Sequence, residues 1–191
     1  YLTQWTMDDV ESVGLLKIDF LGIRYLTMVS SIVEEIRKEN PAFDITKINY
    51  QDPKVYELFA KGKTEGIFQF ESSGMKEKLN LLKPTEFNDI VAMNALYRPG
   101  PMAQIEVYVR RKNKEEQVVY PHPHLDKILK DTYGVIVYQE QIMLIAVNFA
   151  HMSLNEADNM RRAVSKKKKE DLEYYGRIFI EKSVDAGYDI K

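Results

Sequence analysis

The chain has 191 residues, 45% hydrophobic and 29% charged, with a formal net charge of −2 and no cysteine. This is an ordinary globular balance with enough apolar material for one sizeable domain, or one domain plus part of another, and it excludes bulk disorder. It also excludes nucleic-acid binding through overall charge, since such domains are strongly basic, and it removes disulfides, thiolate metal sites and thiol nucleophiles. No apolar run reaches the length of a membrane span and no signal peptide is visible, so a soluble protein is expected. With Tyr1 at its start, no initiator methionine and no stop signal after Lys191, the chain reads as a piece of something longer.

In chain order, Val13 to Phe20 sets Leu16, Ile18 and Phe20 in alternation with Lys17 and Asp19, the pattern of a half-buried strand. Gly22 punctuates it. Leu26, Val29, Ile32, Val33 and Ile36 then form the apolar stripe of a helix that stops before Pro41. Asp52 and Pro53 open a short helix through Phe59, which Gly62 helps to end. Gly66 to Phe70 is a second candidate strand, alternating at Ile67, Phe68 and Phe70. Ser72 and Ser73 cap a helix carrying Met75, Leu79 and Leu82; Pro84 terminates it, and another helix opens at Thr85 and runs to about Leu96.

The triplet Pro99-Gly100-Pro101 breaks the chain sharply. After it come a helix around Ile105 to Arg111, a proline-rich turn from Pro121 to Pro123 and a short helix over Leu125 to Lys130. A short β-branched stretch from Gly134 to Tyr138 leads into an apolar helix through Ile142, Ile145, Ala146 and Phe149. Ser153 followed by Glu156 is a capping box that starts the next helix. A last helix carries Leu172, Tyr175, Ile178, Phe179 and Val184, with Gly187 as its C-terminal cap. The expected fold class is mainly α with a few short β-strands, without internal repeats.

Chemistry concentrates on the capped helix, which ends in a block of cations. Arg162 and Lys166 fall on one face with Arg161 one step round, their roots about 5–6 Å apart, close enough to converge on a single polyphosphate. A solvated helix end whose cations complement the dipole accounts for the same letters. Glu71-Ser72-Ser73-Gly74 offers hydroxyls and free amides at a helix start, either a phosphate cradle or plain N-capping. Arg98 is held on a stiff turn before Pro99, suited to a ligand or to a structural ion pair. Tyr133, Tyr138, Gln139 and Gln141 present aromatic faces and amides near a helix start, where a base would stack unless the tyrosines are core. Lys17 and Asp19 share a strand face, and spacing alone favours a surface pair, because one carboxylate cannot hold two catalytic metals. His122 and His124 are confined to a proline-rich turn without further ligands nearby and read as structural. Walker loop, dinucleotide fingerprint and nucleophile elbow are absent.

Taken together, Gly14-Leu-Leu-Lys-Ile-Asp-Phe-Leu-Gly22, Gly66-Ile-Phe-Gln-Phe-Glu-Ser-Ser-Gly-Met75, Ala95-Leu-Tyr-Arg-Pro-Gly-Pro-Met102, Tyr120-Pro-His-Pro, Thr132-Tyr-Gly-Val-Ile-Val-Tyr-Gln-Glu-Gln141 and Met160-Arg-Arg-Ala-Val-Ser-Lys-Lys-Lys168 resemble the alpha subunits of bacterial DNA polymerase III, the family C replicative polymerases. The resemblance implies that residues 1–28 are the end of a palm domain, contributing a terminal palm strand, and that residues 29–191 are a helical fingers domain. The letters Pro121-His-Pro do not make this the family's separate histidinol-phosphatase-like domain. For the parent protein it implies DNA-directed DNA polymerase activity in a bacterial cytoplasm, with template-primer DNA and deoxynucleoside triphosphates as ligands. The sliding clamp and other replisome subunits would dock through regions not present here, and no membrane is involved.

The family's palm holds two magnesium ions on three carboxylates, and Asp19 matches the third. The resemblance thus implies a catalytic, metal-binding Asp19, assisted by Lys17 at the triphosphate or primer end, and replaces the surface-pair reading. The first two carboxylates are missing, so this chain alone is expected not to polymerise. Positions matching the nucleotide grip are Arg98, Arg161 and Arg162, together with Lys166, Ser72, Ser73 and Tyr138. At Ser165 the family pattern leads one to expect glycine; serine there stiffens the turn and changes the reach of Lys166. Two competing readings are a non-catalytic helical module gripping nucleic-acid backbone through Arg110 to Lys114 and the lysine run, and a module that docks another replication protein.

Overall fold

The computed structural model describes residues 2–166 and 169–189, the side chain of Lys166 excepted. The chain divides into two compact units, residues 1–49 and 50–191.

In the first unit, helix α1 (Met7–Ser12) starts at Thr6, whose hydroxyl accepts from the Asp9 amide at 3.4 Å. Helix α2 (Arg24–Glu39) ends at Asn40, and Arg37 Nε reaches forward to the Phe43 carbonyl at 3.0 Å. Val33 is the one buried apolar residue among the described residues of this unit. The strand expected over Val13 to Phe20 does not form. Alternation only prepares a segment for a sheet; the backbone also needs a neighbour for its N–H and C=O groups, and among the described residues there is no strand at all. Leu16 and Phe20 accordingly stand 83% and 94% exposed.

The second unit begins with α3 (Pro53–Ala60), α4 (Ser73–Leu82), α5 (Phe87–Leu96) and α6 (Ile105–Lys112). Their inward stripes, including Tyr56, Met75, Leu79, Met93, Leu96 and Tyr108, make one core. The second expected strand, Gly66 to Phe70, is instead a doubled turn: Gly66 (φ +75°) and Gln69 (φ +67°) both reverse the chain, and Thr64 Oγ1 donates to the Phe70 carbonyl at 2.5 Å. Ile67 and Phe70, three apart, face the core, and Phe70 meets Phe59 edge to face at 5.3 Å. The apolar letters were therefore spent at turn spacing, not at the period of a strand.

A buried charge organises these helices. Asp89 Oδ2 accepts from the amides of Thr85 (2.8 Å) and Glu86 (3.3 Å), capping α5, and pairs with Lys112 Nζ at 3.3 Å, both side chains nearly sealed from solvent at 1% and 8% exposure. Lys112 also donates to the Lys83 carbonyl at 3.1 Å, and Asn113 Nδ2 to the Leu81 carbonyl at 3.1 Å, so the end of α6 satisfies the orphan carbonyls at the end of α4. Asp89 Oδ1 has no partner among the described residues.

After the short α7 (Asp126–Leu129), helices α8 (Gln139–Ala150), α9 (Leu154–Lys166) and α10 (Lys169–Asp185) pack around Ala146, Ala150, Met152 and Ala157, with Met160, Ile178 and Phe179 alongside. Alanines at these positions let the helix axes approach closely. The stretch from Gly134 to Tyr138 starts in a turn, with Gly134 at φ +78°, and joins no sheet: Gln141 Oε1 takes the amides of Val137 (2.8 Å) and Tyr138 (3.0 Å), doing what a neighbouring strand would have done. The capping box forms as its letters require, with the Ser153 amide on Glu156 Oε2 at 2.8 Å and the Glu156 amide on Ser153 Oγ at 3.3 Å. Lys182 of α10 reaches Glu156 at 3.0 Å and ties the last two helices together. At the far end Gly187 (φ +89°) closes α10, with the Tyr188 amide on the Ser183 carbonyl at 3.0 Å. Ser165 lies inside α9, not in a turn, and its Oγ bonds back to the Arg161 carbonyl at 3.0 Å. Lys167 and Lys168 lie outside the described residues. Among the described residues no helix is long and apolar enough to cross a membrane.

Two stability outcomes follow from these ties. Lys112→Met strands the Asp89 charge in the core and costs about 3–5 kcal/mol in denaturant unfolding, while the Asp89→Asn/Lys112→Met double variant regains part of it. The Ser153 amide, then Lys182 and the Ser153 hydroxyl, hold the Glu156 carboxyl down to about 2 from 4.5. Its folded pKa is depressed, so its contribution is present above the ordinary carboxylate range and is lost as pH falls from about 4.5 towards 2. Glu156→Gln should therefore melt below the parent at pH 7, with the gap closing across that acid window.

Candidate functional site

Helix α9 places Arg161 and Arg162 side by side, and both turn back onto one carboxylate. Arg161 bonds Asp158 Oδ1 through Nε at 2.9 Å and Nη2 at 2.7 Å, and Arg162 Nη2 takes Oδ2 at 2.8 Å. Arg161 Nη1 crosses to Gln139 Oε1, the first residue of α8, at 2.7 Å. The arginine hydrogen bond, the largest influence, and the two positive charges hold the Asp158 carboxyl below the usual range, so it is ionised at neutral pH. Tyr138 immediately precedes Gln139 and is half-buried. Burial first, then the charge of Asp89, raises its phenol above 10, leaving a neutral hydroxyl. The structure thus joins Arg161 and Arg162 on Asp158 and ties Arg161 to Gln139, the residue after Tyr138, while the Tyr138 phenol itself feels the charge of Asp89. The side chain of Lys166 lies outside the described residues.

A second group forms at the start of α4. Ser72 is the N-cap, its hydroxyl accepting from the Met75 amide at 3.3 Å, which realises the plain capping reading, and Ser73 opens the helix exposed to solvent. The Tyr97 hydroxyl lies directly over Gly74, where a β-carbon would collide with it. That contact draws the turn bearing Arg98 towards the serines. Arg98 is exposed, with its backbone fixed by the Met102 amide on its carbonyl at 3.1 Å, and its guanidinium enters no ion pair among the described residues. In the first unit Lys17 Nζ and Asp19 Oδ1 are 3.5 Å apart, both more than half exposed. Asp19 is a single carboxylate, and no group of three or more His, Cys, Asp or Glu among the described residues is placed to hold a metal ion. The magnesium pair implied by the resemblance does not fit this chain's own donors by themselves.

Other candidates are occupied. Arg110 and Arg111 divide the oxygens of Glu116 at 3.0 and 2.9 Å, Arg111 Nη1 also holds the Tyr133 carbonyl at 3.1 Å, and Lys112 is committed to Asp89. These cations fasten the fold and do not present a free basic stripe. His122 accepts from the His124 amide at 3.2 Å, and His124 Nδ1 lies 2.8 Å from the Tyr188 hydroxyl within an aromatic cluster, where Phe149 stacks on Tyr188 at 3.8 Å. Asp158 escaped the sequence reading. Its spacing three and four residues before the two arginines was the signal that was present but not used.

Residues 25–187 match the model of the bacterial DNA polymerase III alpha subunit finger domain. The chain belongs to that family. It is 54% identical over 191 residues to the DNA polymerase III subunit alpha of Bacillus subtilis (strain 168), a match covering 100% of this chain and 17% of that protein. It is 52% identical over 188 residues to the subunit of the same name from Staphylococcus aureus (strain COL), covering 98% of this chain and 18% of that protein. The finger domain described here thus corresponds to under a fifth of the length of these relatives.

The Tyr97–Gly74 contact gives a direct check on how the serine and arginine loops are held. Gly74→Ala should cost about 1–3 kcal/mol of stability, as an overpacked side chain does. Adding Tyr97→Phe, which removes the colliding oxygen, should recover most of that loss in thermal melts. No recovery would show that Tyr97 does not position the Arg98 turn.

Proposed function

We propose that this finger domain grips the triphosphate of an incoming deoxynucleotide within a DNA polymerase III alpha subunit. The observation that carries the reading is the convergence of Arg161 and Arg162 on one small anion, the Asp158 carboxylate. Two neighbouring guanidiniums that already share an anion have the geometry to neutralise the charge on a leaving pyrophosphate. Tyr138, a neutral phenol, offers a ring face and a donor to the base or sugar. Ser72, Ser73 and Arg98 form a subsidiary polar face for phosphate or template-primer DNA, and Lys166 is assigned to the same grip from its place in the sequence.

In this reading residues 1–28 belong to the palm and residues 29–191 to the fingers; the start of the family match at residue 25 supports that boundary. Asp19 would give one carboxylate to a magnesium pair whose other ligands come from segments of the longer relatives that this chain does not match, with Lys17 beside the triphosphate or primer end. The chain by itself is then inactive in polymerisation. A bacterial cytoplasmic replisome, with the sliding clamp contacted elsewhere on the full-length protein, is the corresponding setting. The rival reading, a phosphate-backbone module using Arg110 to Lys114, is weakened by the internal pairing of Arg110, Arg111 and Lys112.

Calorimetric titration of the chain with a deoxynucleoside triphosphate at two salt concentrations tests the grip. The expected result is salt-sensitive binding that falls at least about tenfold in Arg161→Ala/Arg162→Ala, since each lost charge-assisted bond is worth about 1.5–3 kcal/mol. Equal affinity of the double variant would remove the two arginines from the site. For the palm residue, asparagine at the position matching Asp19 in a full-length relative should lower kcat by about a hundredfold or more, and an unchanged rate would exclude a catalytic carboxylate there.

A further inference from the structure

The carboxylate that organises the two arginines is also the group that stands in the way of any ligand they bind. Asp158 Oδ1 takes two nitrogens of Arg161 and Oδ2 takes one of Arg162. The fourth bond, from Arg161 Nη1 to Gln139 Oε1, uses a neutral acceptor. All three guanidinium nitrogens of Arg161 are engaged, and only the second N–H on each of Nη1 and Nη2 is left to meet a phosphate oxygen while Asp158 stays in place. Arg162 differs: its side chain is 61% exposed, and among the described residues its one ion pair is with Asp158.

We infer that Asp158 is a displaceable counter-ion, holding the place of a phosphate between Arg161 and Arg162 when the site is free and giving it up when a polyphosphate binds. This rests on the triphosphate reading of the same arginines. Three features support it. The Asp158 carboxylate is partly exposed, at 28%, so it can turn to water at little cost when displaced. It carries one negative charge against two positive ones, leaving the cluster short of an anion. Its three- and four-residue spacing along α9 lets a rotation of χ1 release both arginines without moving the helix. The consequence is a grip that is preorganised while empty and weakened on purpose: the returning carboxylate competes with a bound polyphosphate and speeds its departure. A pyrophosphate leaving group is the species for which such competition matters most.

The test uses inorganic tripolyphosphate, titrated into the 191-residue chain and its Asp158→Asn, Asp158→Glu and Arg161→Ala/Arg162→Ala variants, each shown folded by circular dichroism. Asparagine keeps the shape and one acceptor oxygen but removes the competing charge, so Asp158→Asn should bind roughly tenfold tighter, with slower dissociation, while Asp158→Glu stays near the parent. A purely structural role cannot produce this result, because loosening α9 would weaken binding. Unchanged or weaker binding by Asp158→Asn, or no binding by it at all, overturns the inference. If the double alanine variant binds as well as the parent, the triphosphate reading itself fails. If it loses binding while Asp158→Asn merely matches the parent, the reading stands and only the counter-ion is refuted.

Discussion

The contact on which the rest of the second unit depends is the sealed ion pair of Asp89 and Lys112. A carboxylate with 1% of its surface exposed is tolerable only because the α5 amides and a lysine meet it, and those partners come from different helices. Lys112 belongs to the last turn of α6 and also holds the last carbonyl beyond α4, so one side chain fixes three helix ends. Once those ends are fixed, so is the opposite end of α4, where Ser72 caps the helix and Gly74 accepts the Tyr97 ring. The same buried charge acts over a longer range. Together with burial, the larger influence, it raises the phenols of Tyr108, Tyr133 and Tyr138 and keeps them protonated through the physiological range.

The two cores of this unit are coupled by a polar side chain. Gln141 spends its amide fully: Oε1 accepts from Val137 and Tyr138, and Nε2 donates to the Ile128 carbonyl at 3.2 Å and to Thr132 Oγ1 at 2.8 Å. With all four of its sites used, a buried glutamine rigidifies instead of destabilising. It sets where α8 begins, and thus where Tyr138 and Gln139 stand relative to the arginines of α9. The positioning of the candidate site is in this sense a product of hydrogen-bond accounting in the core.

Legibility followed the range of the interactions. Helices with local signals were plain in the letters: Asp52 before Pro53, the Ser153–Glu156 box and Gly187 each act within one turn, and each appears as its chemistry dictates. The strands were not, because pairing is non-local. Leu16, Ile18 and Phe20 alternate as a strand does yet find no ladder, Gly66 to Phe70 closes into a doubled turn, and the amides of Val137 and Tyr138 are taken by a glutamine. Charge patches misled for a related reason. Arg110, Arg111 and Lys112 look like a basic stripe, but Glu116 just beyond α6 takes the two arginines and Asp89, far away in the chain, takes the lysine. The basic helix was legible as a cluster, and its internal anion was legible too, three and four residues before the arginines, but as a partner it is recognised only once the side chains are placed.

That anion separates the two arginines into different kinds of group. Arg161 is three-quarters buried and anchored on two helices, through Asp158 on its own and Gln139 on α8. Its guanidinium plane is therefore set by the packing of α8 against α9. Arg162 has one tether and most of its side chain in solvent, so its reach is limited mainly by rotamer freedom. In the proposed grip Arg161 is then the fixed donor and Arg162 the mobile one. Because both share Asp158, a move of Arg162 towards a ligand leaves Oδ2 without that partner while Oδ1 keeps Arg161. The proposed grip is therefore asymmetric, and the element that links its two halves is the single aspartate between them.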